Sequence, residues 1–164
     1  LATNANRTIS EYFETLQWLP RPSVQTLASA MDVGDPSNME RLRSLVGDAE
    51  VLRERLGVLA VTDDLIEAAI RQDYEEFGFA TCPHTATATH AWRQLGDELK
   101  TGNDWILVAT AHPAKFETIV EPLIGTTVPL PEGLADILAR PSRSVAIDAE
   151  LASLDAALRD YFST

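Results

Sequence analysis

Val108-Ala109-Thr110-Ala111-His112-Pro113-Ala114-Lys115-Phe116 is the stretch from which the rest of the chain is read. It follows Asp104-Trp105-Ile106-Leu107. Residues Trp105 to Ala109 are apolar and partly β-branched, as expected of a strand buried on both faces. Pro113 has a fixed φ and no N–H, which suits the first position of a helix and puts His112 at the cap. Phe116, Ile119, Val120 and Leu123 then recur at helical spacing. A hydroxyl (Thr110), an imidazole (His112) and an amine (Lys115) are therefore gathered between a strand and a helix. Ligands of open α/β sheets bind outside the carboxyl ends of the strands, and Thr110 is expected at such an end.

Working outward, helix signals dominate. Thr8 with Glu11 and Ser37 with Glu40 match capping boxes. Thr62 followed by Asp63 and Asp64 predicts a helix start, and Gly78 predicts its stop. Pro83 and Pro131 open two further helices. Leu151, Leu154, Leu158 and Phe162 form the stripe of a terminal one. Short strands are expected at Val24–Leu27, at Trp105–Ala109 and at Ser144–Ile147. This order predicts an α/β fold: a helix-rich, three-layer arrangement around a parallel sheet. Three strands make a thin sheet for so many helices, so further strands are expected from chain outside these residues.

The chain has 164 residues, of which 45% are hydrophobic, enough for one domain with a sizeable core. A formal charge of −12 argues against nucleic acid or an anionic membrane as partner. No apolar run approaches the roughly 20 residues of a membrane-spanning helix. Cys82 is the only cysteine, which makes the cytoplasm the expected compartment.

Motifs for other chemistry are missing. His84, His90 and His112 form no metal-binding pattern, so no metal is expected. There is no GxSxG elbow, P-loop or GxGxxG. Lysine occurs only as Lys100 and Lys115. Lys115 lies in the first turn of its helix, where a cation is mildly unfavourable, so a specific partner for it is expected.

The opening stretch closely resembles the Thr-Ala-His-Pro-Ala-Lys-Phe signature of the threonine synthase family, whose members use pyridoxal phosphate. Other blocks agree in order. Ala2-Thr3-Asn4-Ala5-Asn6 resembles the family's Ala-Thr-Asn-x-Asn block. Gln25 to Val33 resembles its Thr-Leu-Ser-x-Ala-Met-Asp segment, with Ala28 as a departure. Gly78-Phe79 followed by Pro83-His84-Thr85-Ala86 resembles its Gly-Tyr…Pro-His-Thr-Ala segment, with Phe79 in place of tyrosine.

The resemblance implies fold type II (β-family) architecture, with pyridoxal 5'-phosphate as cofactor and O-phospho-L-homoserine as substrate. The implied reaction converts O-phospho-L-homoserine and water to L-threonine and phosphate. It implies that the Thr110 hydroxyl faces the pyridine nitrogen of the cofactor. For His84, Thr85, His112 and Lys115 it implies site-shaping or substrate roles. The family's Schiff-base lysine and its glycine- and asparagine-rich cofactor-phosphate loop both precede the Ala-Thr-Asn block, and neither Lys100 nor Lys115 matches that lysine. The expectation is therefore that residues 1–164 are the C-terminal portion of the enzyme, that the N-terminal half is their partner, and that they are inactive alone. The same residues admit a second reading, as a non-catalytic acidic α/β binding or interaction module.

Overall fold

A computed structural model describes residues 1–47, 49–142 and 144–163. The chain divides into two compact units, Leu1–Pro129 and Leu130–Thr164.

The first unit begins with β1 (Ala2–Thr3), which pairs in parallel with β2 (Leu59–Ala60) in the register Ala2 to Leu59 and Thr3 to Ala60. Between them lie α1 (Thr8–Thr15), α2 (Met39–Val46) and α3 (Ala49–Arg55). Tyr12 and Phe13 of α1 form a core with Met39 and Leu52, edged by Ile9, Trp18, Leu56 and Val58. Arg43 covers the aromatic side of this core, with its guanidinium 4.9 Å from the Tyr12 ring centroid.

After β2 come α4 (Asp63–Phe77), α5 (Pro83–Arg93), the short α6 (Asp97–Lys100) and α7 (Glu117–Ile124). Helix α4 packs on α5 and α7, and α5 also packs on β1. Ile66 and Ile70 of α4, Ala86 of α5 and Val120 of α7 are fully buried. Thr62 and Gly78 bound α4 as the sequence predicts, with Gly78 in the left-handed conformation at φ 72°. Pro83 stands at the start of α5.

Several sequence expectations are corrected. The Thr8–Glu11 capping box does not form: Arg7 is the N-cap, and the Thr8 hydroxyl donates instead to the Gly34 carbonyl at 2.7 Å. That bond belongs to a tight chain crossing, because a Cβ on Gly34 would lie 1.8 Å from the Arg21 carbonyl oxygen. The Ser37–Glu40 box also gives way, with Asn38 as N-cap and no side-chain cap bond. The helix that Pro83 opens ends at Arg93. Among the described residues Val24–Leu27 and Ser144–Ile147 are not strands, and Trp105–Ala109 pairs with no other segment. The sheet found among the described residues is the two-stranded β1–β2 pair. The coarse class, helix-rich with a small parallel sheet, stands.

The second unit contains α8 (Glu132–Leu138) and α9 (Leu151–Ser163). Both helices fall where the sequence puts them. Their apolar stripes are nevertheless exposed, including Ile137, Leu138, Leu151, Leu154, Leu158 and Phe162.

Candidate functional site

The segment from Asp104 to Thr110 forms no helix and pairs with no other strand among the described residues. No backbone N–H or carbonyl of residues 105–111 takes part in a hydrogen bond among the described residues. Ile106 is 87% exposed and Val108 68% exposed. The composition that predicts a buried strand is thus present without a paired neighbour among the described residues, and with only Leu107 of Trp105–Ala109 partly buried. At its end the Thr110 side chain is exposed and has no hydrogen-bond partner among the described residues.

The turn that follows is set by His112 and Pro113. His112 has extended backbone angles, and its Nδ1 accepts the Ala114 N–H at 3.2 Å. Pro113, which lacks an N–H, opens the 3₁₀ turn Pro113–Phe116. An acceptor role for Nδ1 places the proton of the neutral ring on Nε2. His112 is exposed, so its free polar group is a hydrogen-bond donor. Lys115 is exposed on the same turn.

His84 has the opposite tautomer. Its Nε2 accepts the Ala30 N–H at 3.0 Å, so the proton sits on Nδ1, 4.0 Å from the Cys82 Sγ. Burial holds its pKa below the ordinary histidine value. Lys115 pushes the same way, and Asp32 opposes. The ring also lies against Phe116, with centroids 5.0 Å apart. His84 therefore ties together the Ser29–Met31 turn, the start of α5 and the Pro113–Phe116 turn. Thr85 is buried beside it, its Oγ1 3.4 Å from the Cys82 Sγ.

A cavity of about 720 Å³ opens between these elements. Its walls are Tyr74, the loop 78–82, Thr85, Ala109, Ala111, His112, Pro113 and residues of the segment 124–129. No Lys, Arg, Asp or Glu lines it. Thr110 stands between two lining residues and is not itself one. The structure thus brings His112 and Thr85 to one cavity. Thr110 and Lys115 are not among the lining residues, and His84 is engaged in holding the elements together.

A second cluster was not assigned any chemistry from the sequence. Asn4 is fully buried. Its Nδ2 meets Asp32 Oδ1 and Thr26 Oγ1 at 2.7 Å and the Ala28 carbonyl at 3.2 Å. Asn6 Nδ2 donates to the Val24 carbonyl at 2.9 Å, and its Oδ1 accepts the Val24 N–H at 2.8 Å. Asp32 Oδ2 accepts the Thr26 N–H at 3.0 Å. These residues fasten the strandless loop 24–32 to the exit of β1. Buried polar side chains must be paired, so polar residues beginning at a strand's exit were the available signal.

Among the described residues no group of three or more His, Cys, Asp or Glu is placed to hold a metal ion. Among the described residues no helix is long and apolar enough to cross a membrane. Helices α4, α5 and α7, a small parallel sheet and an uncharged cavity of small-molecule size define the class: a helix-rich α/β chain with a pocket beside an unpaired strand-like segment.

Residues 85–158 match the family model described as threonine synthase, C-terminal. The threonine synthase of Serratia marcescens is 39% identical over 134 residues, covering 82% of this chain and 30% of that protein. The crystal structure of threonine synthase from Escherichia coli superposes with a TM-score of 0.80 at 34% identity, covering 98% of this chain and 37% of that one. A PLP-bound threonine synthase from Brucella melitensis shares the fold, with a TM-score of 0.76 at 24% identity over 98% of this chain and 39% of that one. The chain belongs to the threonine synthase family, and it spans about a third of the length of these relatives.

Proposed function

We propose that these residues are the C-terminal portion of a pyridoxal-phosphate-dependent threonine synthase that converts O-phospho-L-homoserine and water to L-threonine and phosphate. The observation that carries this reading is the unpartnered, exposed Thr110 hydroxyl at the end of the unpaired segment 104–110, within the motif that led to the family. In this reading Trp105–Ala109 becomes a strand of a three-layer, fold type II sheet once flanked by the preceding half of the protein. A parallel strand needs neighbours on both edges and cover on both faces, and this segment has the composition for both.

The residues present fit one side of the cofactor. Pyridoxal phosphate supplies, when bound, the electron sink for carbanionic chemistry. The Thr110 hydroxyl meets the pyridine nitrogen as a neutral group, which tunes the ring without enforcing its protonation as a carboxylate would. The Nε2–H of His112 donates to an anionic oxygen of the substrate, and Lys115 adds positive charge on the same turn. His84 and Thr85 shape the site by holding the start of α5. The cavity offers no Lys or Arg, so the lysine that carries the cofactor and the groups that hold its phosphate are assigned to the other half of the protein. The compartment is the cytoplasm.

The test uses the intact gene product and, separately, residues 1–164. The intact product should release threonine and phosphate in equal amounts from O-phospho-L-homoserine. The isolated chain should release neither, and borohydride should fix no cofactor to Lys100 or Lys115. An intact product with no turnover and no bound cofactor would leave the non-catalytic binding module as the reading. Stoichiometric labelling of either lysine with turnover would sink the division of the site between two halves.

A further inference from the structure

Asp73 is fully buried in α4 and has no part in the roles assigned so far. Three donors converge on its carboxylate: Thr81 Oγ1 at 2.6 Å, Thr89 Oγ1 at 2.8 Å and Arg93 Nη2 at 2.6 Å. Arg93 also reaches Glu76 at 2.7 Å, and its guanidinium lies over Phe77. Thr89 and Arg93 stand on α5, so these two bonds join one helix to another. Thr81 is different. It belongs to the loop between the left-handed Gly78 that ends α4 and the Cys82 that caps α5.

Every residue of that loop, Gly78 through Cys82, lines the cavity. The loop contains no helix or strand. The Thr81–Asp73 bond ties it to the buried face of α4, while Cys82 Sγ meets His84 and Thr85 at its end and Phe79 stacks on Phe77. A buried ion pair is a weak source of stability, because desolvation offsets most of the Coulomb gain. Its geometric constraint remains: a short, charge-assisted bond fixes where the donor can sit.

We propose that Asp73 is a positioning residue that acts through Thr81 to set the wall formed by residues 78–82, and so the shape of the cavity beside His112. The effect on catalysis rests on the threonine synthase reading, whereas the effect on the loop does not.

Thr81→Val and Thr89→Val provide the test in the intact gene product. Each removes one hydroxyl donor from the same carboxylate and keeps the side-chain shape, so their losses in Tm should be comparable. Hydrogen exchange of the peptide covering 78–82 should accelerate in Thr81→Val and stay at the wild-type rate in Thr89→Val. Asp73→Asn, which does not alter the lining itself, should accelerate it as Thr81→Val does. With O-phospho-L-homoserine, Thr81→Val and Asp73→Asn should raise KM roughly tenfold with kcat within about twofold, and Thr89→Val should leave both near wild type. Equal exchange in the two threonine variants at matched Tm would overturn the proposal and make Asp73 a clamp between helices only. A wild type without turnover would overturn the threonine synthase reading, and the exchange data alone would then decide the role of Asp73.

Discussion

His84 and His112 lie on either side of the same turn and have opposite tautomers, each imposed by one backbone N–H. For His84 this has a pH consequence. The Ala30 bond requires an unprotonated Nε2, and burial lowers the pKa in the folded state. A histidine with a lowered folded pKa supports stability above its unfolded value, near pH 6.5, and that support fades as the pH falls through the folded value. Tm should therefore decline from pH 6.5 toward pH 5 in the intact product. In His84→Gln, whose side-chain oxygen can accept the Ala30 N–H without titrating, the decline should be shallower. Parallel Tm profiles for the two proteins would contradict this role. The sequence located His84 and His112 through motif resemblance, but not their tautomers, since each depends on a backbone N–H fixed only by the fold. Thr110 was legible as a candidate from its place at the carboxyl end of a predicted strand, where open α/β sheets bind ligands, and from the motif around it.

Among the elements, helices were legible and pairings were not. Thr62, Gly78, Pro83 and Pro113 act within one turn of their own position, and the structure follows all four. The capping boxes at Thr8 and Ser37 are local signals as well, but at Thr8 a distant carbonyl competes successfully for the hydroxyl. The strands β1 and β2 are two residues each and lie far apart in sequence, so neither shows the alternation that marks a strand. What holds β1 to its surroundings is the Asn4–Asn6–Asp32 cluster. Asn4→Ala leaves buried partners without their donor and should cost about 3 kcal/mol in denaturant unfolding of the intact product. Arg159→Ala, which removes an exposed pair with Asp155 on α9, should cost less than about 0.5 kcal/mol. Similar losses in both variants would remove the special role of the cluster.

For the whole molecule, the telling feature is apolar surface that the chain leaves open. Trp105, Ile106 and Val108 in the first unit, and Leu151, Leu158 and Phe162 in the second, are all exposed. An unpaired apolar strand invites pairing with another chain, and exposed patches of this kind mark surfaces that meet a partner. The sequence hinted at this, since three predicted strands were too few for the helices around them. It could not show that the central one would stand without any neighbour, because strand pairing is a relation between distant segments. The proposal that the preceding half of the protein supplies those neighbours is the centre of the account. It is tested most directly by amide hydrogen exchange at residues 105–109, compared between the intact gene product and the isolated 164-residue chain. The account predicts strong protection in the intact product and rapid exchange in the isolated chain. Rapid exchange in both would contradict it.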